Sequence, residues 1–188
     1  MKRLIPILFL LVFACKKSDT IPAIQITDIP LKTGDSWSYK VTNYPATQTD
    51  TAVYIIGSQT GAVSSVYATH TFINGAAVDS GIVSVSANTR SYSGDNGLQF
   101  FAGSGLFDGW NLTFPISTQS SWSVSGGTVK VVAAYPNLTI GGNGYNNVYI
   151  LLRAAITPGG TENDTIYIAP GVGIIQWNGF PLVSYHLQ

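Results

Sequence analysis

Leu31-Lys32-Thr33-Gly34-Asp35-Ser36-Trp37-Ser38-Tyr39-Lys40-Val41-Thr42 decides the fold class, because from Ser36 onward its side chains alternate in polarity. Trp37, Tyr39 and Val41 fall on one side; Ser36, Ser38, Lys40 and Thr42 fall on the other. A period of two puts one face on a core and the other toward water, as antiparallel sheets do. The same period recurs downstream. Trp110, Leu112 and Phe114 alternate with Asn111 and Thr113, and Val129, Val131, Ala133 and Tyr135 repeat it around Lys130. Further strands are expected at 52–58, 64–73, 78–87, 98–101, 148–156, 165–169, 172–177 and 182–186, where Val, Ile, Thr and Tyr dominate. No stretch of the body carries an apolar stripe at helical spacing, and a short helical turn fits only near 103–108.

The turn residues agree. Asn74-Gly75 lies between two alternating runs and is the strongest hairpin signal, since both residues tolerate positive φ. Asp95-Asn96-Gly97, Gly126-Gly127 and Gly141-Gly142-Asn143-Gly144 mark further turns. The expectation is one all-β, mainly antiparallel, meander-like domain over 31–188. Barrel, half-barrel and sandwich all fit that pattern.

Composition narrows the function classes. Hydrophobic residues make up 45% and charged residues only 10%, against about 25% in ordinary soluble domains. Nine Lys/Arg balance nine Asp/Glu, so there is no basic face to neutralise phosphates and nucleic-acid binding is not expected. Solubility has to rest on Ser, Thr, Asn and Gly.

The first residues have a different character. Met1-Lys2-Arg3 is a basic start, and residues 4–13 form an apolar run. Ten helical residues reach only about 15 Å, too short for a hydrocarbon core of about 30 Å, so the run reads as a signal segment. Val12-Phe13-Ala14-Cys15 resembles the lipobox of bacterial lipoproteins, with Phe13 bulkier than usual at its position. The resemblance implies cleavage before Cys15, a diacylglycerol thioether on its sulfur and anchoring by two or three acyl chains. Cys15 is the only cysteine, so a disulfide framework and a multi-Cys metal site are excluded. Cys15-Lys16-Lys17-Ser18-Asp19 resembles the start of many Bacteroidota lipoproteins. The organisation expected is a signal peptide at 1–14, a lipidated Cys with a flexible tether at 15–30, and the β-domain. Location follows as the cell envelope, anchored to the outer membrane, with periplasmic and surface orientations both open.

Two further stretches carry a second resemblance. The opening Leu31–Tyr39 stretch and the late Thr165-Ile166-Tyr167-Ile168-Ala169-Pro170-Gly171-Val172-Gly173-Ile174-Ile175 stretch look like the two ends of a group of uncharacterised bacterial envelope lipoproteins. In that group a Leu-Lys-x-Gly-x-x-Trp-x-Tyr strand pairs with a Tyr-x-x-x-Gly-Val-Gly strand. The resemblance implies an all-β fold and an envelope location, and it carries over no catalytic residue. Asp19-Thr20-Ile21, Asp50-Thr51-Ala52 and Asp164-Thr165-Ile166 resemble the acceptor triplet of Bacteroidota O-glycosylation, which makes Thr20, Thr51 and Thr165 candidate modification sites.

Chemistry-bearing residues are sparse. A zinc site needs about three converging ligands, and the chain offers His70 and His186 with scattered carboxylates. His70 shares a strand face with Val66, Ala68 and Phe72 and reads as a core or rim residue. Glu162-Asn163-Asp164 reads as a polar hairpin tip rather than a calcium loop. Gly103-Ser104-Gly105-Leu106-Phe107-Asp108-Gly109 lacks the Lys and helix of a phosphate loop. No metal, no cofactor and no enzymatic activity are expected.

Aromatic side chains are the remaining asset, with four Trp, ten Tyr and eight Phe. Trp37, Trp110 and Trp122 start alternating strands and read as core, whereas Trp177, beside Asn178-Gly179, is expected to be exposed and to contact a ligand. The leading expectation is a non-enzymatic module binding a neutral glycan, an apolar molecule or an envelope protein, with a structural or assembly role next. A hydrolase using two of Asp35, Asp50, Asp79, Asp95, Asp108, Glu162 and Asp164 comes third.

Overall fold

The computed structural model describes residues 24–42, 49–72, 75–94, 110–124, 126–157 and 160–188. Among them every regular element is a strand. In chain order these are β1 (Ser36–Thr42), β2 (Thr49–Thr60), β3 (Val63–Phe72), β4 (Gly75–Val85), β5 (Thr89–Gly94) and β6 (Asn111–Thr113). Then come β7 (Ser121–Val124), β8 (Gly127–Ile140), β9 (Asn143–Thr157), β10 (Gly160–Ala169), β11 (Gly173–Trp177) and β12 (Phe180–His186). All pairings are antiparallel, and the spatial order is β6-β5-β4-β3-β2-β1-β12-β11-β10-β9-β8-β7. Two meanders are therefore fused through one non-consecutive pair, β1 with β12.

The expected all-β, antiparallel class is what forms, and the sheet is not closed into a barrel. Its two arms instead turn toward each other. The edge strands β6 and β7 are tied by Trp122 Nε1 donating to Asn111 O at 2.7 Å. The Arg153 guanidinium of β9 lies 5.4 Å over the ring of Trp110, just before β6. Between the arms lies the core, with Trp110, Tyr39, Tyr149, Leu112, Leu151 and Ile166 at its centre.

Alternation held where the pleat is regular and slipped where it bulges. Trp37, Tyr39 and Val41 are buried, as are Trp110, Leu112 and Phe114. In β8 the register shifts between Val131 and Ala133, which leaves Val132 47% exposed and turns Tyr135, expected inward, outward to 42% exposed. An extra residue reverses the facing of everything after it.

Local chemistry explains the hairpins. Ile140 pairs with Asn143, so the intervening loop is Gly141-Gly142, at φ 58° and 87°. Trp177 pairs with Phe180 across Asn178-Gly179, at φ 41° and 87°. Paired positive φ values are the signature of type I′ turns, whose twist matches that of the strands. β3 and β4 form the expected hairpin with Phe72 opposite Gly75, so Gly75 belongs to the strand. Asn74, Asp95-Asn96-Gly97, the strand expected at 98–101 and the turn expected near 103–108 lie outside the described residues. Glu162, Asn163 and Asp164 sit within β10 opposite Ala155, Ala154 and Arg153, not at a hairpin tip.

The packed body also begins earlier than Leu31. Ile26 is 1% exposed and forms a two-bond bridge with Ile116, at 3.0 and 2.8 Å. Ile29 is buried too, and Tyr149 Oη donates to Ile24 O at 2.6 Å. Residues 24–30, expected to be tether, therefore form a strap across the sheet, held by the buried Ile26 and Ile29, while Ile24 is exposed.

Candidate functional site

Two devices position the strap. The first is the turn at 32–35, where Asp35 N donates to Lys32 O at 2.9 Å and Lys32 N donates to Asp35 Oδ2 at 2.7 Å. Gly34, at φ 91°, supplies the left-handed step. The other oxygen of Asp35, a residue only 1% exposed, accepts from Gln188 N at 2.9 Å and ties the turn to the end of β12. The second device is Arg90 on β5, 8% exposed. Its Nη1 donates to Ser86 O at 2.8 Å and Thr89 O at 3.0 Å, while Nη2 meets Asp28 Oδ2 of the strap at 2.5 Å. The guanidinium lies 5.8 Å from the Phe114 ring centroid. Among the described residues its buried Nε–H meets no acceptor. An unmet buried donor costs about 1–3 kcal/mol.

Strap, turn and sheet end enclose a half-open cleft of about 490 Å³. Ile29, Leu31, Val85 and Leu187 give it apolar walls, and Asp28, Lys32, Asp35, Gln59, Arg90 and Gln188 give it polar ones. The volume lies within the roughly 300–1,000 Å³ typical of small-molecule sites. Both carboxylates are engaged: Asp28 also accepts from Ile29 N at 2.8 Å, and each oxygen of Asp35 holds a main-chain N–H. They act here as fasteners. Burial pushes the Tyr92 phenol up, with Arg90 opposing that effect and Asp28 adding to it.

The residues singled out from sequence are scattered. Trp177 is 4% exposed, with its ring 5.6 Å from that of Phe180, so it is a core residue rather than an exposed ligand contact. β11 is an inner strand between β10 and β12, and Trp177 faces inward opposite the buried Ile166. Thr51 is exposed on β2, whereas Thr165 is half-buried in β10, with its N–H capped by Asn178 Oδ1 at 2.7 Å. Cys15 and Thr20 lie outside the described residues. His70 lies on β3 opposite Ala52, and His186 is exposed at the end of β12.

The two family-like stretches meet, though not as paired strands, because β12 lies between β1 and β11. Instead Trp37 Nε1 donates to Val172 O at 2.7 Å, and Tyr39 Oη donates to Ile174 O at 2.6 Å. Arg90 and Asp28 went unread in the sequence. The available signal was an arginine in phase with Tyr92 in a chain with few charges.

No protein-family model, no curated protein and no solved structure matches the chain.

Proposed function

We propose that the protein is a lipid-anchored module of the cell envelope that holds a small, mainly apolar ligand in the strap cleft without transforming it. The observation carrying this reading is the cleft itself, whose volume suits a small molecule and whose carboxylates are already engaged by N–H donors. With Trp177 in the core, the glycan reading loses its stacking platform. Acylation at Cys15 supplies the anchor, with Thr51 the most accessible of the described candidate glycosylation sites.

Native mass spectrometry of the full chain purified from envelopes tests the reading. A bound small molecule is expected in the wild type and should be lost in Val85→Trp, which fills the cleft. A ligand retained by that variant would place binding elsewhere.

The second reading is a structural or assembly role, favoured by outward apolar side chains such as Val132, 47% exposed, and Ile156, 80% exposed. Co-purification of a stoichiometric envelope protein, with the cleft empty, is its expected signature.

A further inference from the structure

Three features converge on the open margin of β8. We propose that this margin, beside the point where the strap leaves the sheet, is the side that lies against the bilayer; the proposal rests on acylation of Cys15. The exit point comes first. Ile24 O is held by the hydroxyl of Tyr149 on β9, and Tyr149 pairs with Ala134 of β8. Only eight residues separate Ile24 from Cys15. Even fully extended, that length of chain reaches at most about 30 Å. A domain of this size is about 40 Å across, so the tether cannot pass around it to bring the opposite side to the membrane. The anchor also makes the contact intramolecular, and a weak one is then enough to set the orientation.

Charge is the second feature. No Asp, Glu, Lys, Arg or His lies between Lys130 and Arg153, so this part of the β8–β9 hairpin can approach head groups without stripping water from an ion. Elsewhere charges do reach the surface, as Glu162 does on β10 and Lys40 on β1. The third feature is the margin itself. β7 pairs with β8 only from Gly127 to Lys130, so among the described residues 132–140 has no strand on its other flank. Val132 and Tyr135 are exposed there, and Ile24 is exposed at the exit point. Two apolar side chains and a tyrosine, apolar in its ring and wet at its hydroxyl, suit the head-group level, where the free main-chain groups of the margin keep their water. Pro136 argues against an added β-strand as the occupant, because a proline on an open edge removes a ladder donor.

The acylated full chain in phosphatidylcholine vesicles that carry a head-group nitroxide lipid tests the proposal, with a fluorescent dye on one introduced thiol. Cys15 is blocked by its thioether, so Val132→Cys, Tyr135→Cys, Ile156→Cys and Lys40→Cys each offer a single labelling site. All four side chains are exposed, and each variant is expected to fold. Dyes at positions 132 and 135 should lose fluorescence to the nitroxide, while dyes at 156 and 40 should keep it. High salt should leave that pattern unchanged, since no ion pair holds the contact. Equal quenching at all four positions, or the strongest quenching at 156, overturns the docking face and leaves the anchor standing. An N-terminal peptide whose mass shows no acyl chains overturns the anchor and the proposal with it. Shielding of 132 and 135 in native envelopes but not in vesicles overturns the bilayer as occupant and gives the margin to an envelope protein.

Discussion

Tyr39 shows how one side chain joins the two arms of the sheet. Its ring sits edge-on to Tyr54, with centroids 5.7 Å apart, and its hydroxyl ends on Ile174 O. Tyr39→Phe keeps the ring and leaves that buried carbonyl without its donor, at an expected cost of about 1–2 kcal/mol in urea unfolding. The same residue governs alkaline behaviour. Burial lifts the Tyr39 phenol well above its ordinary value and raises that of Tyr149 too. The folded state therefore retains protons that the unfolded chain releases. Stability should be flat below about pH 10 and fall above it, less steeply in Tyr39→Phe. Thermal melts between neutral and strongly alkaline pH will show the difference.

Gly141 makes the complementary point. A Cβ there would lie 2.8 Å from Leu182 O, whereas one on Gly142 would meet nothing within 4 Å. Both positions have positive φ, so both alanine variants carry a backbone penalty of about 1–2 kcal/mol. Only Gly141→Ala adds a clash with main chain, and it should melt clearly lower than Gly142→Ala. Such approaches between distant strands are invisible in sequence. The burial of Trp177 was hidden for a related reason: its nearness to an Asn-Gly turn suggested a rim, while its facing depended on which strands flank β11.

At the scale of elements, what could be read was alternation with large side chains. Trp37-Ser38-Tyr39 and Trp110-Asn111-Leu112 announced their strands because each inward residue is bulky and each outward one polar. β5, Thr-Arg-Ser-Tyr-Ser-Gly, did not, since small hydroxyl residues resemble a loop and its inward partners are an Arg and a Tyr. The bulge at Val132 could not be read either, because an apolar run tolerates a register slip without a change of composition. The β11–β12 turn offers a direct test. Asn178 donates from Nδ2 to Asp164 Oδ1 at 2.8 Å while its Oδ1 caps Thr165 N, and Asp164 in turn pairs with Arg153 at 2.5 Å. Asn178→Ala should lose about 1–2 kcal/mol, from both bonds and a less favourable positive φ. Asn178→Gly should lose less, because glycine accepts that φ. Chemical denaturation of the two variants side by side checks the ordering.

At the scale of the molecule, β1 and β12 join in the middle of the sheet, and the strap lies across the same region. Fold class was legible from periodicity. The cleft was not, because its walls come from residues 28–32, 35, 59, 85, 90, 187 and 188, which only the tertiary fold brings together. The strap is held chiefly by Ile26, Ile29 and the Asp28–Arg90 pair. Asp28→Asn should cost only about 1 kcal/mol, because the Asp28 carboxylate is half exposed and Arg90 keeps its bonds to Ser86 O and Thr89 O, and it should loosen the cleft before the sheet. Hydrogen exchange confined at first to residues 24–32 is the expected readout. Anchoring belongs to this scale too: Cys15→Ser should abolish acylation and release the protein from membranes, and unchanged partition would contradict the lipoprotein reading.

An amide chemical-shift map of the ¹⁵N-labelled chain titrated with octanoate and with 1-octanol shows whether the strap cleft is where the protein binds. Saturable shifts centred on residues 28–35, 85–90 and 187–188 are expected. Shifts centred on the outward face of β1 and β2, around Ser38 and Val53, or no saturable shifts with either compound, would contradict it.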